Sequence, residues 1–314
     1  MTDSTSPLAA GTNRSLRRSR PRYGEAAIKV SLLVAALVSV ATTVGIVISL
    51  IPPTMRFFER IGVWDFLTGR DWSPLFEPPS YGVLPLIAGT LVTTAIAIAV
   101  AVPLGLAAAI YLSEYARPRI RATFKPVLEV LAGIPTVVYG FFALSFVTPL
   151  LRDYWPGGSG PEIFNALSAG LVMGVMIIPT VASLSEDAMA AVPHALREGA
   201  YALGSTKRIV ALRVVVPAAL SGIVAAVVLA ISRAVGETMI VAIAAGLQPQ
   251  FTFNPFQAMQ TMTAYIAAAG SGDLPVNSFD YTTIFAVGAL LFILTFIMNA
   301  ISIRLVRKYR EVYE

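Results

Sequence analysis

The sequence of 314 residues contains no cysteine and one histidine, His194. Without cysteine there is no disulfide framework, no thiolate metal site and no thiol nucleophile, and a single histidine excludes a histidine-rich metal site. Charged residues are scarce as well, at 13% of the chain against about 25% in a soluble domain. Because 56% of the residues are hydrophobic, the composition indicates an all-α polytopic membrane protein.

Motifs of nucleotide hydrolysis and of nucleophilic catalysis are also missing. The chain has no GxxxxGK[ST] phosphate loop, since the stretch from Gly204 to Lys207 has the wrong order and lacks the preceding glycine. A single histidine leaves no credible Ser–His–Asp set. The sequence therefore predicts a protein that is not an enzyme and that holds no metal or other cofactor of its own.

Six segments are long and apolar enough to be candidate transmembrane helices, since about 20 mostly apolar residues cross a bilayer. The second and the fifth exceed one simple span, and Pro103 with Gly105 predicts a kink or tilt in the second. No small-residue cleavage site follows the first, so we expect it to remain as an anchor. The segments are 29–50, 84–112, 127–151, 163–184, 214–247 and 281–305.

Lysine and arginine predict the orientation, because both are enriched in the cytoplasmic flanks of membrane helices. They cluster in the N-terminal tail, in the loops at 117–125 and 197–213, and in the C-terminal tail. The opposite side holds only Arg56, Arg60, Arg70 and Arg152. Both termini and the loop around Glu198 are therefore predicted to be cytoplasmic.

This orientation divides the chain into four segments. Residues 1–28, with a Ser-, Thr-, Pro-, Gly- and Arg-rich start that lacks apolar periodicity, are predicted to form a disordered basic cytoplasmic tail. Residues 29–83 hold the first membrane helix and an external aromatic-rich loop. Residues 84–305 form the membrane core with a cytoplasmic loop at about 186–217, and 306–314 form a second cytoplasmic tail.

The two long external segments carry weaker signals. Most aromatic rings of the loop at 52–83 are expected in an interfacial belt, with contact to an external partner as the alternative; part of the loop can be a short amphipathic helix. The segment 248–280 has a small-residue stretch at 264–269 that can form a re-entrant or interfacial helix. The aromatic residues are Phe57, Phe58, Trp64, Phe66, Trp72, Phe76 and Tyr81, and the predicted helix-contact glycines of the core are Gly89, Gly105, Gly140, Gly170 and Gly174.

Arg233 and Glu237 are two charges inside the fifth apolar segment. A continuous helix would place Arg233 about 24 Å beyond Pro217, deep in a hydrocarbon layer about 30 Å thick. Because a lone charge there costs at least about 2.5–3.5 kcal/mol, we expect the two side chains to face a partner or a water-filled path. Their i, i+4 spacing would let them pair, although Gly236 and Thr238 indicate a break in the helix.

These two charges have a functional and a structural interpretation. As a site on a translocation path, Arg233 suits an oxyanion, because its planar fork donates two parallel hydrogen bonds to phosphate or sulfate. As a structural feature, the pair would be a buried ion pair that fixes helix packing. The first interpretation is favoured.

The polar loop around Glu198 has residues typical of helix ends at regular positions. Pro193 and Gly204 predict the start and the end of a short helix over 195–203. A second helical run from Thr206 leads into Pro217. Such a helix–Gly–helix protrusion, with Tyr201 and Leu203 on its surface, can fit a groove of a partner protein; the alternative is an ordinary loop closed by a glycine.

The same loop resembles the cytoplasmic loop of ABC-importer permeases, in which Glu-Ala-Ala, three residues, Gly and nine residues precede Ile-x-Leu-Pro. Glu198, Ala200, Gly204 and Pro217 fit this pattern, and Gly199 replaces the second residue. Further stretches from about residue 60 to the end are similar to the PstC family of phosphate permeases. They are GRDWSP at 69–74, YGVLPLIAGT at 81–90, LAGIPTVVYGF at 131–141, SRAVGET at 232–238 and LTFIMN at 294–299.

The resemblance implies the fold of a type I ABC importer permease, with six transmembrane helices and cytoplasmic termini, in the plasma membrane of a bacterium. It implies a second, PstA-like permease, a PstB-like ATPase dimer that binds ATP and Mg²⁺, and an extracytoplasmic PstS-like phosphate-binding protein. Arg233 and Glu237 match residues of that family's phosphate pathway. Glu198, Gly199, Ala200, Gly204 and Pro217 match its ATPase-coupling loop.

Other classes of protein remain as alternatives. A secondary anion transporter could use Arg233 and Glu237 as a substrate and proton site, although no internal repeat is evident and the Glu198 loop would have no purpose. An ABC permease for another oxyanion is a second alternative, since one arginine does not distinguish phosphate from sulfate. A scaffold or sensor in the membrane would not need the buried charges.

Overall fold

The computed structural model describes residues 23–308 except 157, 159, 273, 276 and 277. The first helix begins at Tyr23, inside the segment predicted as a disordered tail. Residues 1–22 and 309–314, which hold the rest of both predicted tails, lie outside the described residues. The chain divides into two units, Met1–Ser49 and Leu50–Glu314, and the described part of the first is helical.

Helices dominate the described residues, with one short β-hairpin between the first two long helices. Three α-helices continue directly into π-helical turns, Tyr111–Tyr115, Ala143–Val147 and Ala211–Val215, and a fourth π-helical turn is Val241–Ala245. The elements are α1 (Tyr23–Phe58), α2 (Val63–Thr68), β1 (Trp72–Ser73), β2 (Ser80–Tyr81), α3 (Leu84–Ile110), α4 (Pro118–Ala132), α5 (Thr136–Phe142), α6 (Thr148–Tyr154), α7 (Ala166–Ala190), α8 (His194–Ala202), α9 (Lys207–Val210), α10 (Val216–Ala218), α11 (Leu220–Val235), α12 (Met262–Ser271) and α13 (Phe279–Lys308).

Four described helices are long and apolar enough to cross a membrane: Ala27–Phe58, Leu84–Tyr115, Ala166–Ala190 and Phe279–Arg304. Two further helix pairs pass the same test only together, so the described residues hold four such helices, or up to six if each bent pair is one span. The predicted number of six stays a prediction.

The two bent pairs lie in the third and fifth predicted spans. The pair Pro118–Ala132 and Thr136–Tyr154 is bent by 85°, so residues 127–132 belong to α4 and the rest of the predicted span lies beyond the bend. Pro135 explains the break, because a proline disfavours helical backbone in the residue before it and fits the start of α5. The pair Lys207–Ala218 and Leu220–Val235 is bent by 71°, so the predicted segment 214–247 is not one straight helix. The distance of about 24 Å from Pro217 to Arg233 assumed a continuous helix, and the depth of Arg233 in the membrane stays a prediction.

The core is built where α3 packs against α7. Small residues make this close approach possible: a Cβ on Gly170 would lie 2.7 Å from the Cβ of Ile96, and one on Gly174 would lie 2.8 Å from the Cβ of Val100. Gly105 is equally close to Val181 on α7, at 2.7 Å. The prediction that these glycines are helix contacts is confirmed, and the same holds for Gly140, which lies against Ile243 in the π-helical turn Val241–Ala245. Gly89 instead lies against the backbone of Gln260, which precedes α12 and is not in a helix.

The aromatic-rich segment at 52–83 forms a small core of its own. Phe57, Phe66 and Trp72 are buried, with the Phe57 and Phe66 rings 5.4 Å apart and nearly perpendicular. The Trp72 ring packs in the same way on Tyr265 of α12, at 4.9 Å. The expectation of an interfacial belt is therefore wrong for these rings, because the loop folds back onto α12 and α13. Trp64 and Phe76 remain exposed.

Short helices form where the sequence permitted them. α2 occupies part of the aromatic loop and buries Phe66, and α12 contains the small-residue stretch at 264–269. Thr261 caps α12, since its hydroxyl accepts a hydrogen bond from the backbone N–H of Ala264 at 3.1 Å. α12 thus begins with a satisfied N-terminus.

Candidate functional site

The loop around Glu198 folds as its proline and glycine predict, into helix α8, a glycine and a second helical run. Gly204 has φ of +78°, a left-handed conformation that favours glycine. Its N–H donates to the carbonyl of Tyr201 at 2.9 Å, and the N–H of Ser205 donates to the carbonyl of Ala200 at 3.1 Å. These two bonds are the Schellman pattern that ends a helix.

Most of the loop residues that fit the permease pattern are exposed. Glu198, Gly199 and Pro217 are exposed, whereas Ala200 packs against the buried cluster that includes Met189 and Val210. A Cβ on Gly199 would meet open space, so alanine, the residue of the family pattern, fits there. Leu203 is 88% exposed and Tyr201 lies beside it on the surface. An apolar tip of this kind is suited to a groove in another protein.

Arg197 fastens this protrusion to the rest of the chain. Its Nη2 lies 3.2 Å from the Oε1 of Glu114, in the π-helical turn that continues α3. Its Nη1 and Nη2 also donate to the carbonyls of Val192 and Met189, at 2.5 and 2.7 Å. The sequence assigns Arg197 only to the cytoplasmic positive charge, because no spacing links it to Glu114.

A second charged cluster joins α4 to α7. The buried carboxylate of Glu186 forms ion pairs with Arg121 and Lys125, the latter at 3.1 Å, and Lys125 also pairs with Asp187. None of the α4 residues is buried, so these pairs hold its polar face. Sequence reasoning missed this cluster too, since its members are separated along the chain.

Arg233, near the end of α11, is half-buried and faces α7. Its Nη1 donates a hydrogen bond to the hydroxyl of Thr180 at 3.0 Å. Within the described part of the chain, no carboxylate forms an ion pair with Arg233. A guanidinium has five N–H donors, so most of its hydrogen-bonding capacity is available to an anion.

Glu237 lies beyond the end of α11 and has a different environment. α11 ends at Val235, with Gly236 as its cap, so the i, i+4 pairing predicted with Arg233 is wrong. The Oε1 of Glu237 instead accepts hydrogen bonds from the backbone N–H groups of Met239 and Ile240, at 3.1 and 3.4 Å. Its carboxylate therefore caps the next helical segment. The predicted break at Gly236 and Thr238 is confirmed.

Two more polar contacts tie this region to neighbouring helices. The hydroxyl of Thr263 on α12 donates to the carbonyl of Glu237 at 2.6 Å. The hydroxyl of Ser232 donates to the side-chain carbonyl of Asn299 on α13 at 3.0 Å. In the described residues there is no group of three or more His, Cys, Asp or Glu side chains that could hold a metal ion. The contacts of Ser232, Arg233 and Glu237 thus make the end of α11 and the segment after it a polar region between helices.

Known proteins that are similar to this chain are membrane components of transport systems. Residues 101–311 match the model of a family described as "Binding-protein-dependent transport system inner membrane component". The chain is 37% identical to the probable ABC transporter permease protein YqgH of Bacillus subtilis, over 83% of this chain and 84% of that protein. It is 34% identical to the phosphate transport system permease protein PstC of Mesorhizobium japonicum, over 85% of each chain.

The fold is also found among solved structures. A chain from the inward-facing MetNI methionine ABC transporter superposes with a TM-score of 0.53, over 73% of this chain and 95% of that chain. Because the two sequences are 20% identical, this likeness concerns the fold alone.

Proposed function

Since this chain belongs to the family of binding-protein-dependent transport system inner membrane components, we propose that it forms half of the membrane pore of an ATP-driven phosphate importer. Several relatives that are 30–34% identical over most of the chain are named phosphate transport system permease proteins PstC. The observation that carries the proposal is Arg233, whose guanidinium lies on a membrane helix with a single hydroxyl partner, Thr180.

The proposed substrate contact follows from the chemistry of Arg233. Its planar fork can donate two parallel hydrogen bonds to a tetrahedral oxyanion, and the adjacent Thr180 hydroxyl can add a further donor or acceptor. Glu237 lies on the same pathway, and its carboxylate positions the segment after the helix break by capping it. The relatives' names favour phosphate over another oxyanion.

The proposed coupling uses the protrusion formed by α8, Gly204 and α9. Glu198, Gly199, Ala200 and Gly204 present it to a groove of a separate ATPase subunit, with Leu203 at the exposed tip. Pro217 lies where the protrusion joins the membrane helix. ATP and Mg²⁺ bind to that subunit, and ATP binding drives net transport only if it favours one state of the assembled importer over the other.

The complete importer then needs three kinds of partner. A second, PstA-like permease completes the pore, a PstB-like ATPase dimer binds the cytoplasmic loops, and a PstS-like binding protein delivers phosphate from outside. The assembly lies in the plasma membrane of a bacterium, with both termini of this chain in the cytoplasm.

The proposal is tested by uptake of labelled phosphate in cells that lack this gene, with and without its restoration, at low phosphate and with excess sulfate. We expect restored uptake that sulfate does not inhibit and that ATP depletion abolishes. Uptake that sulfate abolishes would assign another oxyanion. Uptake that depends on the proton gradient and is unchanged by ATP depletion would instead favour a secondary transporter. A secondary transporter would also not co-purify with an ATPase.

A further inference from the structure

Three separate elements meet at the Arg197 side chain. It projects from α8 and is 13% exposed, and the Glu114 side chain that it meets is 6% exposed. Both the Nε and the Nη2 of Arg197 donate to the same carboxylate oxygen, at 3.4 and 3.2 Å. A shielded, charge-assisted contact of this kind fixes geometry more strongly than an ion pair on an open surface.

The same guanidinium also binds the end of α7. The last carbonyls of a helix have no partner within it, and Arg197 donates to one of them, that of Met189, and to the carbonyl of Val192 just beyond the helix end. The positive charge also lies where the helix dipole is negative. One side chain thus satisfies the end of α7 and the carboxylate that follows α3.

The second arm of the protrusion contacts the same turn. The Nζ of Lys207, the first residue of α9, lies 5.2 Å from the centre of the Tyr115 ring, within the range of a cation–π contact. Glu114 and Tyr115 are consecutive residues of the π-helical turn Tyr111–Tyr115. Both arms of the coupling protrusion therefore bind one turn at the end of α3.

α7 continues this connection to the substrate site. Its C-terminal end is bound by Arg197, and its Thr180, about two and a half turns earlier at 3.6 residues per turn, accepts the hydrogen bond of Arg233. α7 contains Pro179, but the part between Thr180 and Ala190 is continuous helix without a proline. A displacement of its end is therefore passed to Thr180 rather than absorbed by a break.

We propose that Arg197 is a positioning residue for transport, which joins the coupling helix to α3 and α7 so that movement of α8 reaches the Arg233 site. This inference rests on the proposed function, because α8 moves only if an ATPase binds it. Arg197 acts through Glu114 and the carbonyls of Met189 and Val192, and it need not touch ATPase or substrate.

The test uses the complete importer in proteoliposomes, with phosphate uptake and ATP hydrolysis measured on the same sample. In Arg197→Gln we expect the ratio of phosphate transported to ATP hydrolysed to fall at least about fivefold, the lower end of typical coupling between two sites. ATP hydrolysis and co-purification of the ATPase should persist. Arg197→Lys keeps the charge but loses the planar fork, so its ratio should lie between those of the wild type and Arg197→Gln.

Arg119→Gln is the matched control, because Arg119 is an exposed residue of α4 that also contributes a predicted cytoplasmic charge; its ratio should equal that of the wild type. If Arg197→Gln does not assemble, Glu114→Gln makes the same comparison from the other side of the contact. An unchanged ratio in an assembled variant, or equal losses of uptake and hydrolysis, would overturn the inference. If the wild-type importer itself takes up no phosphate, it is the proposed function that fails.

Discussion

Arg233 and Glu237 show what a single residue does when the chain around it is folded. The sequence places both charges in one apolar segment, and this correctly indicates a polar site within it. The structure then separates them: Arg233 binds a hydroxyl on α7, and Glu237 binds backbone N–H groups beyond the helix break. The interpretation as a buried ion pair therefore loses its geometric basis, and the two residues predict different mutant behaviour.

For Arg233, replacement by Gln should reduce phosphate uptake at least about tenfold, because a hydrogen bond to a charged group contributes about 1.5–3 kcal/mol. Arg233→Lys should retain part of the uptake, since it keeps the charge without the fork. Initial uptake rates in restored cells measure both, with expression checked by immunoblot and Arg119→Gln as control. Normal uptake by Arg233→Gln would remove the residue from the substrate pathway.

For Glu237, the amide of Gln keeps an oxygen that can accept the bonds from Met239 and Ile240. We therefore expect Glu237→Gln to transport within about two- to threefold of the wild type. Glu237→Leu removes the cap, at a cost of about 0.5–2 kcal/mol, and should lower both thermal stability in detergent and uptake. If Gln is as damaging as Leu while the protein stays folded, the negative charge itself is needed.

Single residues also mark the limit of sequence-based reasoning at the site. Arg233 and Glu237 stand out because charge inside an apolar run is expensive. Arg197 and Glu114 do not stand out, because each belongs to an ordinary polar segment and only the fold brings them to 3.2 Å. Glu186 with Arg121 and Lys125 is a second contact of this kind.

At the scale of helices, glycine predicted two helix ends that lie in or beside apolar segments. Gly204 ends α8, and α11 ends at Val235 with Gly236 as its cap. The sequence did not predict the two bends, of 85° within the apolar run 127–151 and of 71° within the run 214–247. Hydropathy averages over a window and therefore does not detect a bend inside an apolar run.

The coupling helix offers two glycines for a matched comparison. Gly204 has φ of +78°, so Gly204→Ala should destabilise the end of α8 by about 1–2 kcal/mol. Gly199 lies inside α8 with open space around its Cα, and Gly199→Ala should stabilise the helix by about 0.5–1 kcal/mol.

Co-purification of the ATPase subunit and ATP-dependent uptake measure the effect of these two substitutions. Gly204→Ala should weaken both, and Gly199→Ala should leave both unchanged or improve them. If both variants lose co-purification and uptake equally, the added methyl group itself is harmful at either position. The left-handed backbone of Gly204 would then not explain the effect.

For the molecule as a whole, the prediction that matters is the side of the membrane on which each loop lies. The distribution of lysine and arginine predicts that the tip of the coupling protrusion is cytoplasmic and the aromatic loop external. Leu203 is 88% exposed and Phe76 is 73% exposed, so a thiol at either position is accessible to a labelling reagent on its side of the membrane. The chain contains no cysteine, and a single introduced thiol is therefore labelled without background.

We expect Phe76→Cys, and not Leu203→Cys, to react with a membrane-impermeant maleimide in intact cells whose outer barrier is permeable to it. Inside-out vesicles should give the reverse, and the buried position Ala169→Cys should stay unlabelled in both. Adding the ATPase subunit to vesicles should slow labelling at position 203 alone, because a docked protrusion hides its tip. Labelling of Leu203→Cys from outside would overturn the predicted topology, and a rate that the ATPase does not change would remove the tip from the docking surface.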